Sequence, residues 1–180
     1  DPPVHFEKEK PIYINDIDLK NLVLPLVVID NTAKTDIDPD YSLTVEDIKN
    51  WEKNNGPIPK ESFVALRTNW SQRWFDVKLF ENKDENGQNH YPGWSVEALK
   101  YIYEVRGAIA NGHETFDTDT AVEQKNGFPA EYYVLSTGHY QIELLANLDK
   151  VPETGAVIFI SVPKAQEAPG FPVRVFAVLP

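Results

Sequence analysis

The chain has 180 residues, no cysteine and no methionine, and a formal net charge of -11 from 28 acidic against 17 basic residues. That length suits one domain with a real core. The missing cysteine excludes a disulfide scaffold, a cysteine-ligated zinc site and a thiol nucleophile, and the acidic balance argues against nucleic acid or an anionic membrane as the main partner. No stretch approaches the roughly 18–20 apolar residues that a bilayer span needs. The absence of cysteine fits the cytoplasm and is also compatible with export. With no methionine at its head, the chain reads as a processed product, a fragment or a sequence that begins late.

The first twenty residues are polar and irregular, with Pro2, Pro3 and Pro11. Residues 22–29 (LVLPLVVI) predict a buried strand that stops at Asp30 and Asn31. Thr44 and Asp47 form a near capping box that opens a helix, and Asn54, Asn55, Gly56 and Pro57 close it. Residues 62–68 predict the next buried strand. Ser95 is an N-cap for a helix through Glu104, with Val96, Leu99, Ile102 and Tyr103 on one face. Residues 107–112 predict a short strand between glycines. A helix follows over about 130–136, then an apolar run at 142–148 interrupted by Glu143, then two strands at 156–162 and 172–178 that can pair antiparallel. The alternation predicts a mixed α/β fold whose inner strands are covered on both faces. No boundary divides the chain.

Several residues have the chemistry of a site. Asp1 and His5 place a carboxylate and an imidazole four residues apart on a segment stiffened by two prolines, which suits metal binding or proton transfer. His113, Glu114, Asp117 and Asp119 crowd one imidazole and three carboxylates into seven residues after a short strand. That cluster reads equally as a site or as a turn in which acids satisfy backbone N–H groups. Glu143 sits in an apolar run, where a buried carboxylate requires a cation or another partner. Glu131 stands twelve residues earlier at the start of a helix. Trp70, Arg73 and Trp74 offer stacking surfaces that could meet a substrate or pack the interior. No nucleophile elbow, P-loop or dinucleotide fingerprint occurs.

Together these segments resemble one family. Asp1-Pro2-Pro3-Val4-His5-Phe6 is similar to the end of the H-x-G-T-H-x-D-x-P-x-H-F motif of the metal-dependent cyclase-like hydrolases, which include bacterial kynurenine formamidase and isatin hydrolase. Residues 27–30 (VVID), 43–47 (LTVED), Arg67-Thr68 with Trp70, Pro92-Gly93 with Ser95, 146–152 (ANLDKVP) and 170–174 (GFPVR) follow in the family's order. The resemblance implies a swivelling β/β/α fold, a homodimer or homotetramer, and one or two divalent metals, zinc or manganese. It implies hydrolysis of a small cyclic amide, formamide or ester by a metal-activated water. In that reading Asp1, Glu131 and Glu143 are metal ligands and His5 moves the proton; His113 is a further candidate ligand that would supply an imidazole, and Trp70, Arg73 and Trp74 are candidates to line or buttress the substrate pocket.

Two departures accompany the resemblance. The motif's two histidines would precede Asp1, so residues 1–180 read as one cyclase-like domain without its N-terminal part. The family often has a histidine where this chain has Glu131, an oxygen ligand that favours harder metals. A non-catalytic member of the same fold, binding a small molecule or a protein, is the alternative expectation.

Overall fold

The computed structural model describes residues 1–6 and 9–180. Three short 3-10 turns, at Pro3–His5, Ile14–Asp16 and Leu19–Leu22, lead into β1 (Val23–Asp30). Then come α1 (Thr32–Thr35), β2 (Ser42–Leu43), α2 (Val45–Asn55), β3 (Phe63–Arg67) and a 3-10 turn at Trp70–Arg73. The order continues with α3 (Val77–Glu81), β4 (Gly93–Trp94), α4 (Val96–Lys100) and β5 (Ala110–His113). The last elements are α5 (Pro129–Ser136), β6 (Tyr140–Ile142), β7 (Ala156–Ser161) and β8 (Arg174–Val178).

Six strands form one mixed sheet in the order β6-β5-β3-β1-β7-β8. The first four run parallel, with Val27 opposite Val64, Leu66 opposite His113 and Gly112 opposite Ile142. Strand β7 is antiparallel to β1, and β8 to β7. The small strands β2 and β4 pair in parallel beside this sheet.

Alternation along the central strands divides the interior. Val27, Ile29, Val64 and Leu66 pack on one face against Trp51 of α2, Leu99 of α4 and Val134 and Leu135 of α5. Leu24, Leu26, Val28, Phe63 and Ala65 point to the other face, toward Tyr140, Leu145, Leu148 and Ile158. Both faces of β1 and β3 are therefore buried, as their uninterrupted apolar runs require. The second face opens into a cavity of about 660 Å³, lined by residues that include Leu26, Ile142, Ile158, Phe171 and Val175.

The local signals account for most boundaries. The side chain of Thr44 accepts the amide of Asp47 at 3.2 Å, while Asp47 Oδ2 accepts the amide of Thr44 at 2.9 Å, completing the capping box. The Ser95 hydroxyl accepts the amide of Ala98 at 3.1 Å. The expected strand at 107–112 is displaced. The winding of α4 widens into a π-helical turn at Tyr101–Val105, Gly107 ends it at φ 70°, and pairing begins only at Ala110. The run at 142–148 is not a single element either. It leaves β6 at Ile142, turns through Leu144 at φ 56°, and tucks Leu145 and Leu148 into the core. α1, α3, β2 and β4 are too short to leave a periodic signature.

Candidate metal centre

The carboxyl ends of β1, β3, β5 and β6 lie along one edge of the sheet, the edge at which parallel α/β sheets usually bind ligands. Three carboxylates converge there. Asp1, Glu131 and Glu143 each place one oxygen so that all lie within 4.8 Å of one another. These residues come from the chain start, the first turn of α5 and the residue after β6.

Each is held by identifiable contacts. The segment from Asp1 to Phe6 docks on α5, where the Phe6 ring meets Tyr132 edge-on at 5.3 Å. The amino group of Asp1 donates to the Gln141 carbonyl at 2.6 Å, and the Gln141 amide donates to the Asp1 carbonyl at 3.1 Å. Glu131 is aimed by the start of α5, whose Ala130 and Glu131 amides donate to the two oxygens of Asp119 at 2.8 and 3.0 Å. Glu143 Oε1 accepts from Gln141 Nε2 at 2.9 Å, and the Gln141 carbonyl oxygen of the side chain accepts from the Thr118 hydroxyl. The loop that follows is fixed beside β5, with Leu145 N donating to the His113 carbonyl at 2.9 Å.

Burial and mutual repulsion dominate the electrostatics. Burial, aided by Asp117 and Asp119, pushes Glu131 up to about 7. Burial also pushes Glu143 up to about 7, with Glu131 and Asp117 adding to it and the Asp1 amino group opposing. Such a group of acids is suited to a divalent cation, whose charge would remove the repulsion. The spacing fits as well, since oxygens at roughly 2.0–2.6 Å from one ion stand at most about 5 Å apart. His5 Nε2 lies 3.6 Å from Asp1 Oδ1. Gly170 covers the pair so closely that a Cβ there would sit 2.9 Å from Asp1 Oδ1 and 3.9 Å from His5 Nε2.

The remaining expected residues have other surroundings. His113 stays outside the carboxylate group. Its ring is buried with no hydrogen-bond partner on either nitrogen, and burial lowers it to about 3. None of Trp70, Arg73 and Trp74 lines the cavity below the sheet. Trp70 is interior packing, 1% exposed, with its Nε1 donating to the Phe80 carbonyl at 2.9 Å. The Arg73 guanidinium covers the Trp70 ring at 3.8 Å, and Trp74 is half exposed.

The acids at 114–119 divide between roles. Glu114 accepts from the Thr68 amide and the Ser71 hydroxyl, both at 2.6 Å. Asp117 accepts from Tyr91 Oη at 2.7 Å and Gln124 Nε2 at 2.6 Å. With Asp119 at the head of α5, the turn reading holds for this cluster. Gln141, whose side chain holds Glu143, belongs to no motif in the sequence. The available signal is its position two residues before Glu143, the spacing at which side chains of an extended segment share a side.

Comparison with known proteins identifies the family. The sequence model of the putative cyclase family matches residues 1–120. The chain belongs to this family. An isatin hydrolase from Roseibium aggregatum is 32% identical over 170 residues, which are 93% of this chain and 64% of that protein. This cyclase-family chain thus spans somewhat less than two thirds of that relative's length. The structure of isatin hydrolase A from Labrenzia aggregata bound to benzyl benzoate superposes with a TM-score of 0.92 at 34% identity, covering 99% of this chain and 71% of that one. An isatin hydrolase bound to the product analogue thioisatinate gives a TM-score of 0.92 at 31% identity, covering 100% and 70%. The mixed α/β fold is the cyclase-family fold. Among the described residues no helix is long and apolar enough to cross a membrane.

Proposed function

We propose that this cyclase-family protein is a metal-dependent hydrolase that opens a small cyclic amide, a lactam of the isatin kind. The observation that carries the reading is the convergence of Asp1, Glu131 and Glu143 within 4.8 Å, with His5 beside Asp1. Asp1, Glu131 and Glu143 would hold a divalent ion, zinc or manganese, and the oxygen donors favour manganese. Such an ion supplies Lewis acidity for the carbonyl oxygen and lowers the pKa of water.

The side chains do the rest. His5 accepts a proton from the attacking water as the new C–O bond forms. It returns that proton to the ring nitrogen as the C–N bond breaks, so the product is an amine and a carboxylic acid, which then releases the second proton of the water to solvent and becomes a carboxylate. Asp1 Oδ1, 3.6 Å from His5 Nε2, keeps the imidazole beside the three acids. Gln141 keeps Glu143 turned toward the other two acids through its amide. The small residue at Gly170 leaves both Asp1 and His5 room to hold this geometry.

The test loads purified protein with manganese or zinc and follows ring opening of isatin and of a panel of lactams, formamides and lactones. The expected result is one bound metal site, turnover abolished by a chelator, and a His5→Ala variant that keeps its metal but loses roughly a hundredfold in rate. Absence of turnover across the panel with metal bound overturns the hydrolase reading and leaves a binding protein. Absence of metal at equimolar supply overturns the metal site as well.

A further inference from the structure

A second cavity, of about 480 Å³, opens at the carboxyl end of β1, on the face that α2 covers. Asn31, Asn50, Trp51, Asn54 and Glu153 are among the residues that line it. Asp1, Glu131 and Glu143 do not, so it is distinct from the candidate metal centre. Its volume lies in the roughly 300–1,000 Å³ range of small-molecule pockets. Asn50 and Asn54 stand one turn apart on α2 and share a side of it. The opposite wall is tied to both β1 and α2. Val28 N donates to the Glu153 carbonyl at 3.0 Å, and Asn55 Nδ2 donates to Glu153 Oε2 at 2.7 Å.

Asn31 points to a ligand. It is 5% exposed, and its Nδ2 is buried with no hydrogen-bond partner among the described residues. The residue stands before α1, yet its side chain caps nothing. A buried amide left unpaired costs free energy, and turning it over only exchanges the atom that lacks a partner. The Asn54 side chain and Glu153 Oε1 also carry no hydrogen bond among the described residues. Charge narrows the class of ligand. Asp47 is paired with Lys34, and Asp30 with Arg67 at 2.9 Å. No cation of the lining is left for an anion, and these acids do not form a metal-holding group. Trp51 Nε1 donates to the Val28 carbonyl at 2.9 Å, so the indole offers the cavity carbon surface alone. A neutral molecule with C–H faces and with hydroxyls, which both donate and accept, matches such a lining.

We propose that this cavity binds a neutral polyhydroxylated molecule of monosaccharide size. One hydroxyl oxygen accepts from Asn31 Nδ2, others pair with the Asn54 amide and donate to Glu153 Oε1, and a C–H face rests on Trp51. The site stands independently of the hydrolase reading.

The test titrates ¹⁵N-labelled protein with glucose, galactose, mannose and sorbitol and follows the side-chain amides by NMR. At least one of these should move the Asn31 and Asn54 amide signals saturably, while the exposed Asn86, outside the cavity, stays still. Asn31→Ala and Asn54→Ala should each weaken binding about tenfold, with unchanged circular dichroism. Asn31→Ala should not lower the melting temperature, because it removes an amide that the empty fold leaves unpaired. Absence of saturable shifts with all four polyols overturns the proposal, as does binding that Asn54→Ala leaves intact. A cavity that responds to inorganic phosphate or to ethylammonium but to no polyol overturns the class of ligand. A lower melting temperature for Asn31→Ala, with polyol affinity unchanged in both variants, assigns Asn31 to the fold and overturns the site as well.

Discussion

Ser71 donates its hydroxyl to Oε1 of Glu114 at 2.6 Å, tying the turn after β3 to the residue after β5. The other oxygen of Glu114 takes the Thr68 amide at 2.6 Å and the Thr68 hydroxyl at 3.2 Å. The carboxylate is 1% exposed, so these donors have no water to replace it. Glu114→Ala is expected to cost about 2–4 kcal/mol, because hydrogen bonds to a charge are lost and a buried amide is left unpaired. Glu114→Gln, which keeps one acceptor oxygen, is expected to cost less. Urea denaturation of the two variants measures the difference.

Gly170→Ala separates site geometry from stability. The added Cβ would lie 2.9 Å from Asp1 Oδ1, so the carboxylate must shift. The residue is not at positive φ, so its backbone accepts alanine without strain. A loss of about tenfold in kcat/KM with little change in melting temperature is expected, since small misplacements of reacting groups are costly. Steady-state kinetics beside a thermal melt reads both quantities.

Glu131→Gln should act in opposite directions with and without metal. In chelated protein it removes one charge from crowded acids, and the variant is expected to be more stable by about 1 kcal/mol after allowance for solvent screening. With metal supplied it lacks one ligand, and affinity is expected to fall by at least about a hundredfold. Titration calorimetry and melting curves, each run on both variants, decide this.

His90 links two loops, with Nδ1 2.5 Å from Asp40 and Nε2 3.7 Å from Asp84. Its hydrogen bond to Asp40 raises it above the ordinary value of 6.5. A histidine raised in the folded state binds more protons there than when unfolded. Its contribution to stability is therefore complete below pH 6.5 and is lost as pH rises through the folded value. The urea midpoint should fall with pH in this window, and His90→Gln should flatten that dependence.

The local chemistry of the sequence determined the longer elements and singled out three acids that the fold brings together. Thr44 with Asp47, and Ser95, cap helices through atoms within three residues of themselves, so their signals survive without tertiary context. The apolar runs of β1 and β3 announce strands buried on both faces. Asp1, Glu131 and Glu143 were legible because acids beside prolines, at a helix start and in an apolar run each require an explanation. What they share was decided by tertiary structure, because residues 1, 131 and 143 meet only once α5 and β6 pack together. The same packing left His113 outside the carboxylates, buried Trp70 and exposed Phe75. Spacing along the chain says which residues can carry charge or stack, but the direction of each side chain follows from which faces of the sheet and helices are already taken.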